Sequence, residues 1–261
     1  MPAAGFLIRS VALAGCCVMA ACAMPQRDRA NLSPEAQTRL AEAADQQGNA
    51  DMALSMYQAA AQKAPSDVQA QMRYADALAR SGKIQLAQRW LQRAMQTSPN
   101  SADLQRASAL VDIVGGNAAS ALPKLDQMLA SYPADAAILT DKGVALDLLG
   151  RHAEAQDQYR RALATAPNDI SVRNNLALSL MLSGQGRNAQ EVLEPVANDD
   201  DAPARVKVNM GIVYAANGDV GRAQAIAQDQ IDQQALMMLA KRVNEGGTSA
   251  PTTLNQPRQA Q

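Results

Sequence analysis

The sequence predicts an all-α solenoid, because short motifs of small residues recur along the chain at a constant interval. Glycine recurs every 34 residues, and an alanine follows each of these glycines by five residues. A proline closes each of the first four units at the same interval. A fixed period between about 20 and 50 residues indicates a repeat architecture. The recurring residues are Gly48, Gly82, Gly116, Gly150, Gly184 and Gly218; Ala53, Ala87, Ala121, Ala155, Ala189 and Ala223; and Pro65, Pro99, Pro133 and Pro167.

Each recurring residue has a physical role in a helical hairpin. The glycine is expected where the first helix ends, since a chain reversal there favours a residue that can take a left-handed conformation. The alanine is expected early in the second helix, where a larger side chain would hold the two helices apart. The proline ends the unit, and the Ser, Asn or Asp residues after it can cap the next helix.

Residues 34–237 divide into six such units with no insertion. A 34-residue unit with two helical patterns resembles the tetratricopeptide (TPR) repeat. This resemblance implies a right-handed superhelical solenoid of six repeats with a C-terminal capping helix. The last two units lack the closing proline, and Pro195 is expected to bend or end the second helix of the fifth. The units are 34–67, 68–101, 102–135, 136–169, 170–203 and 204–237.

Residues 1–21 have the pattern of a lipoprotein signal peptide. Arg9 precedes an uninterrupted apolar run over residues 11–21, which is too short to cross a bilayer. Cysteine at the end of such a segment resembles the acylated residue of bacterial lipoproteins. Cys22 is favoured as the lipid attachment site, because it leaves an apolar region of ordinary length; Cys16, which matches the lipobox better, is the alternative. The third possibility is an ordinary cleaved signal with incidental cysteines.

The segments that flank the repeats carry different patterns. Residues 22–33 are expected to be a polar tether, since they mix charges with proline and show no helical period. Residues 235–243 have apolar side chains at helical spacing, so that a capping helix over the last repeat is predicted, with residues 238–244 as its end portion. Residues 245–261 are polar and rich in Gly, Pro and Thr, a composition typical of a disordered tail.

Composition argues against enzymatic chemistry and against nucleic-acid binding. The chain has a net charge of -1 and no basic stripe with interleaved aromatic residues. Its one histidine, His152, is expected to be a solvated turn residue, and no cysteine follows Cys22. The sequence therefore argues against catalysis by a nucleophile paired with a histidine. It also argues against a metal site built from Cys and His ligands. We expect no enzyme activity, cofactor, metal or small-molecule substrate.

The TPR resemblance also implies a binding groove lined by the first helix of each repeat. Its lining positions are acidic and polar in the first repeat, with Glu35, Thr38, Glu42, Asp45 and Gln46, but mainly apolar from the third repeat onward. An exposed apolar strip of this kind indicates a site for an apolar segment of a protein partner. The alternative is that some of these side chains are buried between helices. The candidate groove residues of the later repeats are Leu110, Ile113, Val114, Val144, Leu148, Leu178, Met181, Leu182, Arg205, Val208 and Ile212.

Two asparagines strengthen the prediction of a peptide ligand. Asn175 and Asn209 are 34 residues apart, at a position where some TPR proteins carry an asparagine ladder that holds a peptide backbone. An amide side chain both donates and accepts hydrogen bonds, so it can pair with any peptide unit. The alternative is a pair of exposed polar residues with no ligand.

A closer resemblance lies in the last two repeats. Residues 174–180, 193–195 and 204–211, with Tyr214 and residues 218–219, resemble the TadD lipoproteins of the tight-adherence (Flp/Tad) pilus locus. This resemblance implies a pilotin-like accessory protein, lipid-anchored at the outer membrane and facing the periplasm. Its partners would be the secretin or other pilus and secretion components. The alternative is a TPR lipoprotein of another envelope machine, such as outer-membrane protein insertion, the type IV pilus secretin or cell-wall synthesis.

Overall fold

The structure is a computed structural model that describes residues 31–199, 201–227 and 230–245. Both candidate lipid-attachment cysteines, Cys16 and Cys22, lie outside the described residues, as do the predicted signal peptide and the tail from residue 246. None of the described helices is long and apolar enough to cross a membrane.

Every regular element within the described residues is an α-helix, which confirms the predicted fold class. The helices form pairs, and the first helix of successive pairs begins at residues 34, 68, 102, 136, 170 and 204, at the predicted 34-residue interval. The bounds are α1 Pro34–Gln46, α2 Ala50–Lys63, α3 Val68–Arg80, α4 Ile84–Thr97, α5 Ala102–Val114, α6 Ala118–Ser131, α7 Ala136–Leu148, α8 His152–Thr165, α9 Ile170–Leu182, α10 Gly186–Ala197, α11 Ala204–Ala216, α12 Val220–Ala227 and α13 Gln233–Asn244.

The six recurring glycines end the first helices in a left-handed conformation, as predicted. Their φ angles lie between 73° and 88°, a region that side chains disfavour. After Gly150, for example, the Arg151 amide donates to the carbonyl of Leu146 at 2.9 Å. This bond closes a Schellman motif, which satisfies a carbonyl that the end of α7 would otherwise leave unpaired.

The N-terminal caps follow the closing prolines, which confirms the predicted order of residues at the repeat junctions. Asp67, Asp135 and Asp169 each stand two residues after a proline and accept hydrogen bonds from the first backbone amides of the next helix. Ser101 caps α5 in the same way. The sixth unit is the exception, because Pro203 precedes α11 and offers no side-chain acceptor.

Small residues bring the two helices of each pair together. The six recurring alanines of the second helices are at most 1% exposed, as their predicted role requires. Gly143 of α7 shows how close the approach becomes, since a Cβ atom there would overlap Cε1 of Tyr159. Larger residues at these positions would force the helices apart.

The last two pairs are less regular than the first four. Helix α10 continues through Pro195 but ends two residues later, so it has 12 residues where α8 has 14. Helix α12 is shorter still, and α13 packs against α11 and also contacts α9. Leu236 and Ala240 of α13 are buried. A C-terminal capping helix is thus confirmed, although it begins at Gln233 rather than at residue 235.

The helices fall into two compact units with a boundary between Gly115 and Gly116. The first unit contains α1–α5, and its core joins alanines to larger side chains such as Leu78, Leu91 and Leu104. The second unit contains α6–α13. Its fully buried side chains include Leu146, Tyr159 and Leu180.

Candidate functional site

The candidate partner site lies on the first helices of the second unit. Val144 of α7 and Leu178 of α9 are 34 residues apart, as are Leu148 and Leu182, so each pair occupies equivalent places on neighbouring helices. Leu148 is 49% exposed and the other three are half-buried. These four residues are called the apolar strip below. Val208 of α11, also half-buried, lies beside them in the next repeat.

The structure corrects four of the predicted groove residues. Ile113, Met181, Asn209 and Ile212 are buried, the last two to 1% exposure. Their positions turn toward the neighbouring helices rather than toward solvent, so they contribute to packing and are not accessible to a partner. In the first unit, Leu110 is half-buried and Val114 is 60% exposed.

The predicted asparagine ladder is not formed by its two proposed members. Nδ2 of Asn209 donates to Oδ1 of Asn174 at 2.7 Å, which joins α11 to α9 inside the packing. Oδ1 of Asn209 is buried and accepts no hydrogen bond. Asn175 is half-buried, and is therefore the one predicted rung within reach of a ligand.

A polar pair stands at the other end of the same helices. Nη2 of Arg205, at the start of α11, donates to Oγ of Ser171, at the start of α9, over 2.8 Å. Both residues are exposed. Arg205, a predicted groove residue, is thus accessible and held in position by a neighbouring repeat.

The first unit is not the acidic surface that the sequence suggested. Glu42 of α1 forms an ion pair with Arg73 of α3, and Asp45 pairs with Arg80 at 2.8 Å. These arginines come from the second repeat and balance the carboxylates of the first. Asp45 also accepts a hydrogen bond from Tyr57, and burial together with this carboxylate raises the pKa of Tyr57 to about 12.

A largely buried polar cluster adjoins the apolar strip along the chain and centres on Asp147, the residue before Leu148. Its Oδ1 accepts a hydrogen bond from Ser179 at 2.7 Å and lies 2.8 Å from Nδ1 of His152, while Oδ2 accepts from Tyr159 at 2.9 Å. Burial raises the pKa of Asp147, although the three hydrogen bonds oppose the shift. The expectation of a solvated His152 was wrong, because its side chain is only 15% exposed.

This cluster contains Ser, His and Asp but does not have the geometry of a catalytic triad. The Ser179 hydroxyl donates to the carboxylate of Asp147, whereas nucleophilic catalysis requires it to donate to the imidazole. The cluster therefore links α7, α8 and α9 structurally. In the part of the chain that the structure describes, no three His, Cys, Asp or Glu side chains are grouped as metal ligands.

Residues from the blocks that resemble the Tad lipoproteins meet in a second cluster. Tyr214 donates to Oε1 of Glu194 at 2.6 Å, and Arg222 lies 4.5 Å above the Tyr214 ring. Arg222 also pairs with Glu194 and Asp219. The cluster joins α10, α11 and α12, a spatial relationship that the sequence did not reveal. It gives these blocks a shared role in the packing of the last two repeats.

Sequence reasoning also missed Leu149, which follows Leu148 and is 40% exposed. It lies at the C-terminal cap of α7, outside the lining positions that the repeat pattern implies. The sequence did indicate an apolar surface here, because Leu148 and Leu149 are two consecutive leucines before the Gly150 turn.

Family models described as tetratricopeptide repeats match residues 46–111, 106–170 and 204–229, which together make up more than half of the chain. A comparison with curated protein sequences gives no match.

Solved structures with this fold cover most of the chain at low identity. A tetratricopeptide repeat protein from Parabacteroides merdae is 17% identical over 80% of this chain and 84% of its own, with a TM-score of 0.64. PilW, a widely conserved type IV pilus biogenesis factor, is 19% identical over 78% of this chain and 98% of its own, with a TM-score of 0.62. PilF from Pseudomonas aeruginosa is 18% identical over 78% of this chain and 92% of its own, with a TM-score of 0.56. The family models, the 34-residue helix spacing and these shared folds agree, and the chain belongs to the tetratricopeptide repeat family.

Proposed function

We propose that the protein is a lipid-anchored, outer-membrane scaffold that assists assembly of a Flp/Tad-type pilus by binding an apolar segment of a pilus or secretion component. The tetratricopeptide repeat fold generally serves protein interaction rather than catalysis.

The observation that carries the proposal is the apolar strip. Leu148 is half exposed and stands in register with Leu182 of the next repeat, so that apolar surface continues from one repeat to the next. Contiguous apolar surface of this kind marks interaction sites. Because the backbone groups of α7 and α9 are already bonded within their helices, a partner would gain most by burying apolar side chains there.

The proposed location at the outer membrane and the proposed role in Flp/Tad pilus assembly are supported by the sequence. The apolar run over residues 11–21 followed by Cys22 supports a lipid anchor, and Ala23 after that cysteine supports sorting to the outer membrane. Several acyl chains would hold the protein stably on a membrane. The blocks around Asn174, Glu194 and Tyr214 support the Flp/Tad assignment.

The test combines Leu178→Glu with Leu182→Glu in cells that lack the native gene. A carboxylate at either position would be desolvated by a bound partner or would keep water on the surface. We expect the double variant to lose pilus assembly and to bind the purified partner at least about tenfold more weakly. Leu86→Glu is the matched control, because Leu86 is an exposed leucine of the first unit.

The result is interpretable only for folded variants, which circular dichroism establishes. Normal pili with a folded, membrane-located double variant would remove the apolar strip from the proposal. Ile212, a candidate groove residue, is unsuitable for this test because it is buried and a charge there would disturb packing.

A second candidate is a role in a type IV pilus system. The fold shared with PilW and PilF favours it over other envelope machines. Prepilin, secretin and ATPase genes of the Flp/Tad type beside this gene would support the first candidate, and type IV pilus genes would support the second.

A further inference from the structure

The apolar strip is accompanied by a single accessible charge. Among the residues of α7, α9 and α11, Arg205 is the one charged residue that is exposed. The other basic residues of these helices are engaged elsewhere. Lys142 pairs with Asp126 at 2.6 Å and Arg173 donates to the carbonyl of Pro167 at 2.7 Å, while Lys207 also has a partner.

Arg205 is placed to receive an anion. Its Nη2 donates to Ser171, which holds the guanidinium across the gap between α11 and α9. A guanidinium has five N–H donors, so this bond leaves room for a two-pronged contact with a carboxylate. A partner with a basic side chain at this point would instead meet a like charge.

The distance between the charge and the apolar strip sets the spacing of the ligand. Ser171 precedes Leu182 by eleven residues of α9, which corresponds to about 16 Å along the helix axis. An extended segment covers that distance with about five residues. A helical segment, which rises at the same rate as α9, needs about eleven residues.

We infer that the second unit binds a partner segment whose apolar side chains lie on Leu148, Leu178 and Leu182 and whose single carboxylate pairs with Arg205. Asn175 lies between the two contact areas on α9 and can pair with a peptide group of the same segment. This inference rests on the proposed function, and names the chemistry of the segment that the apolar strip receives.

The test uses synthetic fluorescent peptides that carry a pair of leucines and one variable residue, placed five or eleven residues from them. The variable residue is Glu, Gln or Lys, and the dissociation constant is measured by fluorescence anisotropy. For one spacing, the wild-type protein should bind the Glu peptide about tenfold more tightly than the Lys peptide, which corresponds to the lower end of the coupling energies measured for close interfacial charge pairs. The difference should shrink at high salt.

Charge reversal on the protein provides the matched control. Arg205→Glu should invert the preference, so that the Lys peptide binds more tightly than the Glu peptide. Arg160→Glu, which changes an exposed arginine of α8, should leave both affinities unchanged. Equal affinity for all three peptides would overturn the inference, and so would an Arg205→Glu protein with unaltered preference.

Peptide binding by the variants distinguishes loss of the Arg205 contact from loss of the apolar strip. If Leu178→Glu with Leu182→Glu abolishes peptide binding while charge has no influence, the apolar site stands and the role of Arg205 is wrong. If peptides bind regardless of all these substitutions, both the inference and the apolar strip are contradicted. If no peptide binds at either spacing, the inferred segment is wrong, and pilus assembly by the strip variants still decides the proposed function.

Discussion

The hydroxyl of Tyr159 donates a hydrogen bond to Oδ2 of Asp147 over 2.9 Å and so ties the middle of α8 to the end of α7. The same link exists in the first repeat, where Tyr57 donates to Asp45 at 3.2 Å. In both pairs the tyrosine follows the aspartate by twelve residues. Burial and the neighbouring carboxylate raise the pKa of Tyr159 well above its ordinary value, so the phenol remains a hydrogen-bond donor.

The first prediction concerns the pH dependence of stability. The folded state raises the pKa of Asp147, mainly through burial, above its ordinary value of 3.8. Because the folded state holds the proton of Asp147 more tightly than the unfolded state, Asp147 adds to the free energy of unfolding while it is protonated. This contribution is fully present below about pH 3.8 and is lost as pH rises through the folded pKa. Asp147→Asn removes this titration, so the wild type should lose stability relative to the variant as pH rises above about 3.8 and through the raised folded pKa.

Urea denaturation at several pH values provides the measurement. Asp157→Asn is the control, because it removes one carboxylate from α8 at a largely exposed position. A constant difference between wild type and Asp147→Asn at all pH values would show that burial does not perturb this carboxyl.

The second prediction separates two reasons for glycine in the fourth repeat. Gly150→Ala should cost about 1 to 2 kcal/mol, because an L-residue is strained at a φ of 73° although the space around it is open. Gly143→Ala should cost about 1 to 3 kcal/mol for a different reason, since its methyl group would overlap the ring of Tyr159.

A double-mutant cycle distinguishes strain from overlap. In a Tyr159→Leu background, Gly143→Ala should become neutral or stabilising, because alanine favours the helix once the ring is absent. Gly150→Ala should keep its full cost. Additive effects for Gly143→Ala and Tyr159→Leu would show that the ring does not limit the approach of α7 and α8.

The repeat architecture could be predicted because each element depends on local chemistry. Gly150 must reverse the chain, Ala155 must allow close packing and Asp169 must cap a helix, and all three recur with the period of the unit. The candidate site was harder to predict, because accessibility depends on which way a helix turns against its neighbours. Equivalent positions differ for that reason, so that Leu178 is accessible whereas Ile212 is buried.

The polar contacts between repeats could also not be predicted from the sequence. Nothing in the local pattern pairs Asn209 with Asn174 or places His152 beside Asp147. The acidic first repeat illustrates the same limit, since Arg80 neutralises Asp45 from 35 residues away along the chain. Such contacts arise from stacking, and a repeat period does not specify which side chains will meet.

The third prediction concerns the lipid anchor. Cys22→Ser should release the protein from the outer-membrane fraction, because the thiol that accepts the acyl chain is lost, while Cys16→Ser should leave the protein there. Intact-mass analysis of the mature protein identifies the modified residue directly. A lipid-modified N-terminus at Cys16 would reverse the assignment, and an unmodified mature chain would remove the anchor from the account.

The most direct test of the central claim is photo-crosslinking in cells from the apolar strip. A benzophenone amino acid in place of Leu148 should yield a crosslinked product with one envelope protein, and the added change Leu182→Glu should remove that product. The same photoreactive group in place of Arg160 on α8 should give no such product. A partner captured equally from both positions, or a crosslink that persists with Leu182→Glu, would contradict binding at the apolar strip.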